Sequence, residues 1–251
     1  YPLRRQRQMC IRDSLYTSSE DTDVYVLDDS ITEIKNELAL SDEAKEIVSE
    51  KEFTPDSSSG SIDITFDFDG TGLEGTSFVV FEECYLVKTK DNEEKKVLVG
   101  EHQDISDEGQ TVHAPKIQTT AVDTKTQSHI AKIGDEVTIK DSVRFDNLIP
   151  GLSYKATGVI MDKDTKEPLL IGESQVTSEA AFTPTASSGY VDVSFTFNAS
   201  DLKDKTVVVF ETLTLENEET GTSDIVAEHQ DINDEAVSYT HLRAHETLRH
   251  L

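Results

Sequence analysis

Apolar and polar residues alternate in two stretches of this chain that lie 129 positions apart. In the first, Ile62, Ile64, Phe66 and Phe68 alternate with Asp63, Thr65 and Asp67; in the second, Val191, Val193, Phe195 and Phe197 alternate with Asp192, Ser194 and Thr196. A period of two turns one face toward a core and the other toward water, so both stretches are predicted strands. Residues 78–81 (Phe-Val-Val-Phe) form a continuous apolar run that suits a central sandwich strand. Further strands are predicted at 117–121, 137–145 and 154–161, with turn chemistry at Asn147-Leu148-Ile149-Pro150-Gly151 between the last two. Many short strands with regular turns predict an all-β, antiparallel sandwich architecture. Residues 31–48 depart from this pattern and read as a locally helical insertion.

The alternating stretches belong to a larger internal repeat. Phe53-Thr54-Pro55 recurs as Phe182-Thr183-Pro184, Ser58-Ser59-Gly60 as Ser187-Ser188-Gly189, and Phe78–Glu82 as Val207–Glu211. Glu101–Gly109 recurs as Glu228–Ala236, now 127 positions on, which a two-residue loop difference explains. The first repeat enters near 24–27, matching 158–161, so its first two strands are expected to be missing. The second is expected to break off at Val237 without its last strand.

Charge separates the ends from the middle. Six of the seven Arg fall in the first or last 14 residues, and only Arg144 lies between. Residues 1–14 and 238–251 resemble translated sequencing-adapter read-through and are expected to be non-native tails, His241, His245 and His250 included. The expected organisation is a tail at 1–14, the C-terminal part of one repeat at 15–112, a nearly complete second repeat at 113–237, and a tail at 238–251.

The net charge of −27 disfavours nucleic acid and anionic membrane as partners. No stretch has the apolar length of a membrane-spanning helix, and no segment has the order of a signal peptide. Two Cys, Cys10 and Cys84, build no disulfide framework. An extracellular domain with this composition needs another staple or a sufficient core.

A specific resemblance follows from three motifs. The run Asp141–Gly151 (D-S-V-x-F-x-N-L-x-P-G), the V-V-F-E ending at Glu211, and His102–Gln110 (H-x-D-x-x-D-E-G-Q) resemble the VaFE-type repeat, also called the T-Q or ester-bond domain. The resemblance covers most of residues 24–236. It implies tandem Ig-like antiparallel β-sandwiches, the first one truncated, in the stalk of a cell-wall-anchored Gram-positive surface adhesin. It also implies an ester between a Thr on the first strand and a Gln on the last. Carried over residue by residue, Thr119 is the nucleophile of the second repeat, with Thr120 its alternative, and Asp141, Glu211 and His229 are the supporting acid and base groups. In the first repeat the matching residues are Glu82, His102 and Gln110. A hydroxyl needs a base such as His to become a nucleophile, and a carboxylate, here Asp141, orients the imidazole. A buried, protonated Glu211 polarises the unreactive carboxamide. Neither repeat holds a full set: the first lacks the Thr and Asp, and Val237 stands where the second needs Gln. The chain as it stands is therefore expected to form no internal ester.

Other readings accompany these residues. A carbohydrate- or calcium-binding sandwich would show exposed aromatics, which a chain without Trp disfavours. A Thr119–His229 hydrolase would need an open pocket, and a Lys–Asn isopeptide variant would use Lys140 or Lys155. Asp104, Asp107, Asp231 and Asp234 read as turn and capping carboxylates, Asp162-Lys163-Asp164 as loop punctuation, and His113 and His129 as exposed. No cofactor and no metal is expected. The expected partners are neighbouring repeats of the same chain and a host ligand that the sequence does not specify.

Overall fold

The computed structural model describes residues 8–18, 47–90, 93–203, 205–217, 219–234 and 238–239. The chain divides into two compact units, Tyr1–His113 and Ala114–Leu251. Both are built of antiparallel strands.

In the second unit a three-stranded sheet contains β6 (Lys116–Asp123), β7 (Val137–Asp146) and β13 (Gly189–Phe197), in the order β13-β7-β6. A second sheet has the order β12-β8-β14-β15, from β12 (Thr177–Phe182), β8 (Tyr154–Asp162), β14 (Val207–Asn217) and β15 (Thr222–His229). The short β9 (Glu167–Pro168) pairs with β8, and β16 (Ser238–Tyr239) pairs with β14; β10 (Leu170–Ile171) and β11 (Ser174–Gln175) form a separate ribbon. Alternate residues of each long strand turn inward, and Ile139, Val143, Ile160, Val193, Phe195 and Leu213 are fully enclosed. The predicted turn at 147–151 is present, with positive φ at Asn147 and Gly151. Leu148 N–H donates to Ser187 O (2.9 Å) and Gly151 N–H to Pro184 O (2.9 Å). The turn is thereby tied to the segment after the repeated Phe-Thr-Pro, whose Phe182 packs on Phe145 and Tyr154 at 5.2 and 6.0 Å between ring centroids.

The described residues of the first unit form one sheet, β2-β1-β3-β4, with β5 also paired to β3. Its strands are β1 (Gln8–Ser18), β2 (Val48–Phe53), β3 (Ser77–Lys90), β4 (Glu93–His102) and β5 (Thr111–His113). Residues 61–68 were expected to be a strand and are not. They keep an alternating burial, with Ile62, Ile64 and Phe66 half-buried, but make no ladder. In the second unit the matching β13 hydrogen-bonds to β7. Among the described residues the first unit has no counterpart of β6 or β7, so this extended segment lacks a pairing partner.

The expected boundary at residue 14 falls inside β1, which fills the place between β2 and β3. Unpaired backbone groups along those two edges require such a partner. Of the expected tail at 238–251, Ser238 and Tyr239 form β16. The proposed entry at 24–27 and the helical reading of 31–46 lie outside the described residues; Val48 opens β2 as a strand.

Candidate functional site

The inward positions of three strands in the second unit carry polar groups where their neighbours are apolar. On β6 the inward residues are Ile117, Thr119, Ala121 and Asp123, and Thr120 faces out. On β7 they are Val137, Ile139, Asp141, Val143 and Phe145. On β14, Glu211 lies inward between Val209 and Leu213. Asp141 and Glu211 are both 0% exposed and Thr119 is 5% exposed.

Register brings these groups together. Asp141 is opposite Ala121 on β6, two residues past Thr119. Glu211 is opposite His229 on β15 and opposite Gly158 on β8. Burial pushes the Asp141 carboxyl up to about 6, against the opposing influence of the adjacent Glu211, His229 and Thr119. Burial, followed by the charge of Asp141, pushes Glu211 up to about 9. Two carboxylates can only accept hydrogen bonds, and their four oxygens and Thr119 Oγ1 are enclosed without a well-formed one, although Glu211, Thr119 and the Thr120 N–H all lie close enough to Asp141 to draw its carboxyl down. One proton retained between the two carboxyls removes that conflict. At neutral pH the site therefore holds one carboxylic acid, centred on Glu211, and one carboxylate, centred on Asp141.

Asp141 was expected to orient the imidazole. The carboxylate bonded to His229 is instead Asp234, at 2.7 Å from Nε2. A carboxylate accepts, so Nε2 is the donor in this contact. The first unit repeats the arrangement. Glu82 is opposite His102, and His102 Nε2 donates to Asp107 Oδ2 at 2.7 Å. Asp107 also receives the Gly109 N–H at 2.8 Å, so it is a cap and an imidazole partner at once. These contacts hold its carboxyl below the usual range, the Gly109 amide most of all and then His102.

Gln110 ends a 3-10 turn, Glu108–Gln110, just before β5, and is half-buried. β5 pairs with β3 through Phe78↔Val112 and Val79↔Thr111. β16 pairs with β14 in the matching register, Val207↔Tyr239 and Val208↔Ser238. The position equivalent to Gln110 is thus Val237, which lies outside the described residues. Thr119 and Gln110 belong to different units. The first unit has an open cleft of about 370 Å³ bordered by Asp13, Ile62, Ile64, Glu82 and His102. Burial, then Glu82, pushes Asp13 up to about 6.

Asp104, Asp107 and Asp231 each accept a backbone N–H two residues on, as turn carboxylates do. Asp162 does the same for Asp164 and also pairs with Lys205. Among the described residues no group of three or more His, Cys, Asp or Glu is placed to hold a metal ion. Lys140 pairs with Asp192 and Lys155 with Glu216. His113 and His129, expected to be exposed, are half-buried, and His113 Nδ1 lies 3.1 Å from Ser77 Oγ.

Gly158 was not singled out from the sequence, and Asp234 was read there only as a turn and capping carboxylate. The signal for Asp234 was present, since an acidic residue follows each repeated His by five positions. Gly158 carries a signal only once its strand partner is known.

The family model described as T-Q ester bond containing domain matches residues 7–114 and 115–236. No curated protein matches the chain. Among solved structures, the chain is similar to a bacterial adhesin from Mobiluncus mulieris containing intramolecular disulfide, isopeptide and ester bond cross-links. In one crystal form the identity is 20% over 53% of this chain and 58% of that one, with a TM-score of 0.43. In another it is 21% over 51% and 56%, with a TM-score of 0.42. The chain spans less than two thirds of that adhesin's length.

Proposed function

Because the chain belongs to the T-Q ester bond containing domain family, we propose that its second unit is a stalk repeat of a bacterial cell-surface adhesin, stapled in its intact form by an ester between Thr119 and a glutamine at position 237. The observation that carries this reading is the trio Thr119, Asp141 and Glu211, buried together within an apolar core. Fold stability alone does not call for such a group, because burying ionisable side chains among apolar ones is unfavourable. β16, which follows position 237, lies beside β6, which carries Thr119, so first and last strands are neighbours.

In the reaction the Thr119 hydroxyl gives its proton to a nearby base, Asp141 or the His229 imidazole backed by Asp234. Its oxygen attacks the carboxamide carbon while protonated Glu211 donates toward the carbonyl oxygen. The C–N bond breaks, the C–O ester forms, and the nitrogen leaves as ammonia with the proton from the hydroxyl. Packing excludes the water that would reverse the acyl transfer, and holding the groups in place replaces a bimolecular encounter. The event happens once per molecule and nothing is turned over, so the unit is a structural module. It works outside the cell without relying on cysteine.

The chain as it stands has Val237 and no carboxamide there, so its intact mass is expected to equal that of its sequence; a deficit of one ammonia would contradict this. The mechanical reading is tested by pulling a Val237→Gln variant by its ends. The segment between the crosslinked residues, roughly 400 Å when fully extended, is expected to be missing from the unfolding length and to return with Thr119→Ala. Full extension with the ester intact would overturn the stalk function.

A further inference from the structure

Glycine is a poor strand residue, yet Gly158 sits at an inward position in the middle of β8. A Cβ built there would lie 2.4 Å from Glu211 Oε1, 2.9 Å from Glu211 Cδ and 2.4 Å from Phe195 Cζ. All three distances are shorter than side chains tolerate. The other strand glycines differ. Gly189, at the start of β13, lies under the ring of Phe145, and Gly100 of β4 meets only Cys84 Cβ at 4.0 Å. Gly158 is the strand glycine whose empty side-chain space is taken by an ionisable group.

We infer that Gly158 is a positioning residue for the crosslink: the space left by its missing side chain is the niche that holds the Glu211 carboxyl against Asp141 and away from water. This rests on the ester reading for its consequence, but not for its geometry. Glu211 projects from β14 directly opposite Gly158. With the Phe195 ring closing the niche, the carboxyl lies over bare β8 backbone. A methyl group at 158 would push the carboxyl back toward β15 and water, or push the ring out and admit water. Either movement lowers the proton affinity of Glu211 and removes its acid from the position of the carboxamide. In the first unit the residue opposite Glu82 is Asp13, which has a side chain, and Glu82 is only half-buried.

The test uses Gly158→Ala with Phe195→Leu, which removes the ring overlap, and Phe195→Leu alone as reference. In the Val237→Gln background, ammonia loss followed by intact mass is expected to slow at least about tenfold in the double variant relative to Phe195→Leu. In the unaltered chain, the carbon-13 titration midpoint of Glu211 is expected to fall by about one pH unit or more. Equal rates and equal midpoints in the two variants would overturn the inference. If Gly158→Ala cannot be refolded even with Phe195→Leu, then Gly158→Ala with Glu211→Asp, whose shorter side chain withdraws from the new methyl, is expected to recover the fold; failure to recover it overturns the niche. Should Val237→Gln keep its ammonia, the ester reading falls by itself, and the titration midpoint still decides whether Gly158 places Glu211.

Discussion

Val237→Gln is expected to make this chain lose one ammonia on folding and to resist unfolding by about 4–5 kcal/mol more than the parent. The position is fixed by two agreeing registers. β5 and β16 pair with β3 and β14 at equivalent residues, and Gln110 immediately precedes β5 as residue 237 precedes β16. The stabilisation is of the kind a disulfide gives when it closes a loop of over a hundred residues, through the restricted unfolded chain. Thr119→Ala in the same background restores both the ammonia and the parental stability. Thr120→Ala, at an outward position on β6, leaves the ester intact. Urea unfolding with parallel intact mass reads all four proteins. A Val237→Gln chain that still loses ammonia when Thr119 is absent, or gains stability without losing ammonia, would sink the staple.

The stability of the second unit is expected to fall as pH rises from about 5 to 9, and Glu211→Gln is expected to remove most of that fall. The sign follows from proton affinity. Glu211 titrates at 4.5 when unfolded and near 9 when folded, with burial the main cause and Asp141 the next. Between those values the folded state holds a proton that the unfolded state has released, so raising the pH favours unfolding. Asp141, raised from 3.8 to about 6, adds the same trend at the lower end. Gln keeps the shape, supplies a donor to Asp141 and has nothing to ionise. At pH 8–9 the variant is expected to exceed the parent by on the order of 3–5 kcal/mol, and near pH 4 to match it. Urea midpoints at pH 5, 7 and 9 check this. A parent whose stability is level or rising across that range would show that Glu211 is not held protonated. In the Val237→Gln background the same substitution should block the ester, because the acid is gone.

Much of the site could be read from the chain because the repeat displays it twice. His102 and His229 recur in one nine-residue context, and Glu82 and Glu211 end the same apolar run. That Thr119 and not Thr120 turns inward follows from the period of two, given Ile117 and Ala121 as inward neighbours. The same rule puts Asp141 inside, in line with Val137, Ile139, Val143 and Phe145. Misassignments arose where a residue's role depends on a distant strand. Residues 61–68 have a strand's alternation, but a strand exists only when another supplies its hydrogen bonds. Asp234 read as a turn carboxylate because local spacing is silent about the imidazole that β15 brings to it.

The sequence by itself determined the all-β class, the two-fold repeat, the family and the residue types of the chemistry, since periodicity and motif order are properties of neighbours along the chain. Tertiary structure alone decided which carboxylate serves which partner: Asp234 bonded to His229, Asp141 beside Thr119, and Glu211 over Gly158. Those assignments depend on cross-strand register and on burial deep enough to hold a proton on a carboxyl. Register arises when strands pair within a sheet, and burial of that depth only when two sheets close on one another.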